Sequence, residues 1–225
     1  MLRANPHWDM AARRPFITDP AHLAEVGGSA FVCARPVGEV AEAFERAQAR
    51  LREIVGDERA SWPAPHMSLA GFGTPELPVD GPLERRIEAL VQRCASRISP
   101  LRLEVAGIDA FAQDRIPIVR INPSAELTSA LAMIRAEAVA EGLPCHEGIA
   151  VRDWVFHLSL VYLEGDRWSD VESQLSRIAM PLAACVVEEI ELVGFSGGPE
   201  RLIARIPLVG SPEKDANGAA TAPSS

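Results

Sequence analysis

Residues 65–72 read Pro65-His66-Met67-Ser68-Leu69-Ala70-Gly71-Phe72, and residues 156–162 read Phe156-His157-Leu158-Ser159-Leu160-Val161-Tyr162. Each stretch places His, an apolar residue, Ser and Leu inside a short apolar run. His157 follows His66 by 91 positions, close to half of the part of the chain that reads as folded. One such tetrapeptide carries no information. Two, each on an expected strand and each after a helix-sized segment, suggest a duplicated unit presenting one imidazole and one hydroxyl per copy.

The segments around the two runs set the architecture. Ser29 to Arg35 is apolar and ends at Pro36, as a buried strand does. Val37 to Val55 carries Val40, Phe44, Ala47, Leu51 and Ile54 at helical spacing, with Gly56 as the stop. Gly81 to Ile98 repeats the pattern with Leu83, Ile87, Leu90, Val91 and Cys94. Leu101 to Phe111 and Ile116 to Ile121 read as a strand pair turning at Gln113-Asp114-Arg115. Ser124 is the expected N-cap of a third helix carrying Leu127, Leu131, Ile134 and Ala138, which Gly142 ends. Asp166 to Ala179 reads as a fourth helix. Ala183 to Phe195 and Leu202 to Leu208 read as a closing strand pair.

These elements give an α+β chain of two similar lobes. Each lobe is a mainly antiparallel sheet with helices on its outer face, and a central cleft lies between them. Three spans are expected: an N-terminal extension over 1–28, the bilobal domain over 29–210, and a disordered tail over 211–225. The tail is rich in Ala, Pro, Ser and Gly and has no periodicity.

Composition narrows the function. The net charge of −9 argues against a bulk electrostatic grip on long nucleic acid, yet leaves room for a small phosphate ester in a local pocket. No apolar run is long enough to span a bilayer, and Met1 to Pro20 lacks the apolar core of a signal peptide, so a cytoplasmic protein without a membrane partner is expected. Cys33, Cys94, Cys145 and Cys185 are scattered and read as free thiols, most of them buried.

In a strand, residues i and i+2 share a face. His66 and Ser68 therefore point one way and Met67 and Leu69 the other; His157 and Ser159 oppose Leu158 and Leu160. With the apolar pairs on the helices, the polar pairs face the cleft and both imidazoles can meet one substrate. Imidazole titrates near pH 6.5, so one ring can accept a proton while the other donates one, as cleavage of a phosphoester requires. The hydroxyls of Ser68 and Ser159 can donate to the non-bridging phosphate oxygens, where charge grows in the transition state. The scheme needs no metal and no cofactor.

The paired His-x-Ser motifs resemble those of the two-histidine (2H) phosphoesterase superfamily, whose signature is His-x-Thr/Ser-x twice. That superfamily includes 2′-5′ RNA ligase-like proteins and cyclic phosphodiesterases. The resemblance runs from Ser29 to Leu208. It includes the first strand ending Ala34-Arg35-Pro36, Trp62 upstream of the first motif, and Tyr162 after the second. It implies His66 and His157 as catalytic, and Ser68, Ser159 and Tyr162 as substrate-binding. The implied activity is that of a phosphodiesterase on a 2′,3′-cyclic phosphate, a related ribose cyclic phosphate or a 2′-5′ phosphodiester. The expected partner is a small nucleotide or short RNA end, and the expected state is a monomer. Two departures stand out: both hydroxyls come from Ser, and Val161-Tyr162 replaces the basic residue that often follows the second motif in RNA ligase-like members. The alternative is a non-catalytic nucleotide- or RNA-binding module on the same fold.

Other polar residues read more plainly. Cys145-His146-Glu147 is expected to be a solvated loop, with a place at the cleft mouth as the alternative, since consecutive residues do not share a strand face. His7 and His22 are expected on the surface. Strict alternation turns Tyr162 away from Ser159. Trp154 and Phe72 read as core. Arg120, Arg152 and Arg205 are each able to bind phosphate, and nothing in the sequence selects one.

Overall fold

The computed structural model describes residues 14–210 apart from 18, 19, 57, 59, 112, 147, 166 and 197. His7, Glu147 and the expected tail lie outside the described residues. In chain order the elements are α1 (Pro20–Glu25), β1 (Ala30–Ala34), α2 (Gly38–Val55), β2 (Ala60–Ser61), β3 (Met67–Phe72), α3 (Gly81–Ala95), β4 (Leu101–Phe111), β5 (Ile116–Ile121), α4 (Ala125–Ala140), β6 (His157–Ser159), β7 (Tyr162–Leu163), α5 (Trp168–Leu175), β8 (Ala184–Val187), β9 (Glu189–Gly194) and β10 (Arg201–Pro207).

The strands form two four-stranded antiparallel sheets, ordered β10-β9-β1-β3 and β6-β5-β4-β8, with a small β2-β7 pair beside them. The α+β class with antiparallel sheets is as expected, but the lobes are not consecutive halves of the chain. The first sheet combines β1 and β3 with the last two strands, and the second takes the middle of the chain. The run from Ala183 to Phe195, read as one strand, is two. β8 pairs with β4 in the second sheet and β9 with β1 in the first, with Glu188 between them. Val187 and Ile190 are both buried, and residues three apart cannot share one face of a regular strand, so the chain must break there. The fourth helix is shorter than read. Pro181 drives Met180 out of helical geometry, and the helix has already ended at Leu175.

The helices form where the apolar spacing indicates. α2 buries Val40, Phe44, Ala47 and Leu51 and stops at Gly56, whose φ of 83° favours glycine. Ser124 caps α4 by accepting the Leu127 N–H at 3.1 Å, which satisfies one of the helix's free donors. One continuous core joins the helices to the apolar faces of both sheets, including Val32, Met67, Leu69, Leu103, Val119 and Leu158. Among the described residues, no helix is long and apolar enough to cross a membrane.

One irregularity shapes the cleft. In the β1–β3 register Val32 faces Ala70 and Cys33 faces Ser68, which leaves Leu69 as the extra residue of a β-bulge. After the bulge the alternation shifts, so Gly71, opposite Phe31, shares the cleft face with Ser68. There the His146 ring packs directly on it. A Cβ at Gly71 would collide with His146 Nδ1 and come within 2.9 Å of Phe31 Cε1. Gly71→Ala is therefore expected to cost about 1–3 kcal/mol through overpacking. The urea midpoint measures this; an unchanged midpoint would mean that the His146 ring yields freely.

The chain preceding β1 also belongs to this face. Phe16 and Ile17 pack with Cys33, Ala64, Val193 and Phe195 in a second, smaller apolar cluster.

Candidate active site

β3 and β6 lie side by side where the two sheets meet, with Cα atoms within 8 Å. His66 directly precedes β3 and His157 opens β6. The two imidazoles are held alike. His66 Nδ1 lies 2.9 Å from the Ala64 carbonyl, and His157 Nδ1 lies 2.8 Å from the Val155 carbonyl. A carbonyl only accepts, so each Nδ1 carries a proton and each Nε2 carries none in the neutral ring. Burial on the opposite strand face supports the assigned orientation: Met67, Leu69 and Leu158 are fully buried in the core.

Both rings are half-buried, and burial shifts both. His66 is pushed down to about 4, first by burial and then by the nearby charges of Arg35, His157 and His22, against the opposing bond to Ala64. His157 is pushed down by burial, opposed by its bond to Val155. The consequence for stability has a definite sign. In the unfolded chain His66 takes up a proton near pH 6.5, but in the fold only near 4. Between those values the unfolded state binds more protons. Stability from His66 is thus intact above about pH 6.5 and falls as pH drops toward 4, with about 2 kcal/mol lost by pH 5. Urea unfolding at pH 7.5 and pH 5 is expected to show a larger drop for wild type than for His66→Gln. Equal drops would contradict the buried neutral imidazole.

Ser68 is half-buried beside Cys33, with Oγ and Sγ 3.9 Å apart, and burial raises the Cys33 thiol well above its usual range. Ser159 is buried, and its side chain lies beside the Tyr162 phenol, where it opposes the upward push of burial on that group. Tyr162 therefore turns toward Ser159, contrary to the alternation. The reason is that β6 ends at Ser159 and Tyr162 begins β7, which pairs with β2. Burial holds the Tyr162 phenol in its neutral form. His66, Ser68 and Tyr162 line one cavity of about 80 Å³, walled by Phe16, His22 and Phe31.

His22 is not a plain surface residue: it meets Tyr162 edge-on with ring centroids 4.2 Å apart. Cys145 and His146 are not in a solvated loop. Cys145 bridges to Phe72, and His146 donates its main-chain N–H to Gly71 O at 2.8 Å. Main-chain contacts from β3 hold them, which their consecutive positions could not indicate. Phe72 is core, and Trp154 packs on the core under the Arg135 guanidinium. Among the described residues, no group of three His, Cys, Asp or Glu side chains is placed to hold a metal ion.

The structure separates the three arginines. Arg120 pairs directly across from His157 on β5 and forms a 3.1 Å ion pair with Asp109. Arg152 is exposed beside Asp153, and Arg205 sits on the first sheet beside Glu191. Several site residues carried no signal in the sequence. Phe16 stacks on His66 with centroids 4.3 Å apart and an interplanar angle of 25°. Phe111 meets His157 edge-on at 4.8 Å. Glu191 is 1% exposed and binds Arg35 at 3.1 Å. An acid inside the buried run Ile190-Glu191-Leu192 was the one available clue.

Known proteins share this fold. It is similar to that of the Thermus thermophilus protein TT0787, at 20% identity and a TM-score of 0.57, covering 82% of this chain and 100% of that one. It is similar to a phosphoesterase at 19% identity and a TM-score of 0.54, covering 80% and 98%. It is also similar to E. coli LigT complexed with 3′-AMP, at 19% identity and a TM-score of 0.53, covering 80% and 97%. No curated protein matches the sequence. The model of the 2′-5′ RNA ligase superfamily matches residues 27–199, most of the chain and both His-x-Ser motifs, and the protein belongs to that superfamily.

Proposed function

We propose that this protein is a metal-independent phosphodiesterase acting on a 2′,3′-cyclic phosphate, a related ribose cyclic phosphate or a 2′-5′ linkage. The observation that carries this reading is the matched hold on His66 and His157. Each has Nδ1 bonded to the carbonyl two residues earlier, which leaves two Nε2 atoms for proton transfer at the junction of the sheets.

The two environments suggest distinct roles. Burial, with the nearby Arg35 charge adding to it, keeps His66 neutral, which suits a base; the lowering of His157 comes from burial alone. In ring opening, His66 Nε2 takes a proton from water as the water oxygen bonds to phosphorus. The bond from phosphorus to one ribose oxygen breaks, and His157 Nε2–H protonates that oxygen. One water is consumed and a phosphate monoester results. Ser68 and Ser159 donate to the non-bridging oxygens, with Tyr162 orienting Ser159. Arg120, paired with Asp109, lies across from His157 on β5. The LigT structure with 3′-AMP fits this chemistry, because a 3′-monophosphate is what remains when a 2′,3′-cyclic phosphate opens at its 2′ oxygen.

The test is turnover of 2′,3′-cyclic mononucleotides, ribose cyclic phosphates and 2′-5′ dinucleotides with a chelator present. The expected result is opening of at least one of them at a rate the chelator does not change. Tight binding without turnover across the panel would instead support a nucleotide-binding module. Loss of activity on chelation would overturn the metal-free scheme.

A further inference from the structure

The segment before residue 27 lies outside the match to the superfamily, yet it reaches the first histidine. Its path is tied at several points. The Pro15 carbonyl accepts the Ala64 N–H at 3.3 Å, and Ala64 is the residue whose own carbonyl holds His66 Nδ1. The N–H groups of Phe16 and Ile17 both donate to Glu200 Oε2, at 2.6 and 3.3 Å. The Arg35 guanidinium lies over the Phe16 ring at 4.2 Å and donates to the Arg14 carbonyl at 3.4 Å, while Glu191 fixes Arg35 from behind. With 1% of its surface exposed, Phe16 has little room to move.

This anchoring sets the ring flat on the His66 imidazole. The geometry has a counterpart in the other lobe. His157 has its Nδ1 on a carbonyl and the Phe111 ring against it, so both imidazoles are gripped by one main-chain hydrogen bond and one distant phenylalanine. A hydrogen bond at Nδ1 alone leaves the ring plane free to swing. An aromatic surface against the ring removes that freedom. A stacked ring covers the face of the imidazole, whereas Nε2 sits at its edge and stays available.

We propose that Phe16 is a positioning residue for His66. Residues 14–17 thereby become a working part of the active site, and the first lobe's grip on its histidine depends on chain that precedes the first strand. The inference rests on the two-histidine reading above. It deepens that reading by naming what orients one of the two groups.

The experiment uses the full-length protein with a chelator and a 2′,3′-cyclic mononucleotide, comparing wild type, Phe16→Ala, Phe16→Leu and Phe16→Tyr. In parallel, NMR follows the His66 Cε1–H resonance against pH without substrate, assigned by its loss in His66→Ala. A loosened, hydrated imidazole is expected in Phe16→Ala. Its kcat falls about 10- to 100-fold while KM changes little, in line with the sensitivity of catalysis to small misplacement. The His66 titration midpoint rises toward that of an ordinary imidazole, and that of His157 stays in place. Phe16→Leu keeps apolar bulk without a flat ring and loses kcat too, whereas Phe16→Tyr recovers most of it. Unchanged or higher kcat in Phe16→Ala would overturn the proposal and make the ring a mere cover, and so would an unmoved His66 midpoint. If Phe16→Ala does not fold, Phe16→Leu decides: wild-type kcat in that variant overturns the proposal, and lost kcat with a raised His66 midpoint supports it. Should wild type prove inactive on every cyclic phosphate, the two-histidine function fails, and the NMR titration still decides the hold on His66.

Discussion

His66→Ala and His157→Ala are each expected to lower kcat/KM for a 2′,3′-cyclic nucleotide by about 10²–10⁴-fold, the usual worth of one positioned acid or base. In the proposed mechanism both imidazoles act in the same displacement, one on the attacking oxygen and one on the leaving oxygen. Removing either leaves its partner with little to assist. The double variant is therefore expected to lose far less than the product of the two single losses, because groups that act as a unit are not additive. The folded state should survive in each case. Neither ring belongs to the main apolar core, and an alanine at 66 also removes the buried imidazole that destabilises the fold in acid. Steady-state kinetics with a far-UV spectrum for each variant is the check. A single variant retaining wild-type kcat/KM would exclude that histidine from the chemistry.

Ser68→Ala and Ser159→Ala are expected to be nearly as damaging, at about 10²–10³-fold each in kcat, the scale of one lost donor to a developing oxyanion. The effect should fall on kcat more than on KM, because the charge on the non-bridging oxygens is greatest in the transition state. The two sites should differ in their dependence on Tyr162. Ser159 lies beside that phenol, so Tyr162→Phe should weaken catalysis through Ser159 and add little in a Ser159→Ala background. Ser68 Oγ instead lies 3.9 Å from the Cys33 thiol, and a wild-type contribution from Ser68 should persist in Tyr162→Phe. If both serine variants raise KM and leave kcat intact, the hydroxyls bind the substrate but do not stabilise the transition state.

The parts of this site that were legible beforehand are those that local periodicity encodes. Alternation about Met67 and Leu69, and about Leu158, correctly put each His and Ser on the face away from the core, because that core selects one strand face. The helical stripes and the Ser124 cap were visible for the same reason: spacing and caps are short-range properties. What could not be seen depends on contacts between distant residues. The bulge at Leu69 turns Gly71 into the cleft, and only the ring of His146, 75 positions on, shows why glycine is needed there. Tyr162 escapes alternation because the strand ends at Ser159. The break at Glu188 sends β8 and β9 to different sheets, and only the three-residue spacing of Val187 and Ile190 hints at it. Phe16 lies in a segment of mixed composition, and its place on His66 follows from Glu200, Arg35 and Ala64, none of them a neighbour in sequence.

The most direct test of two imidazoles with opposite duties is the pH dependence of kcat/KM on a 2′,3′-cyclic nucleotide, with a chelator present, for wild type, His66→Ala and His157→Ala. Wild type should give a bell: the rate rises as the base loses its proton and falls as the acid loses its own. His66→Ala should lose the acidic limb and keep the alkaline one, while His157→Ala should do the reverse. A bell that survives unchanged in either variant would contradict the account, because the titrating groups would then lie elsewhere.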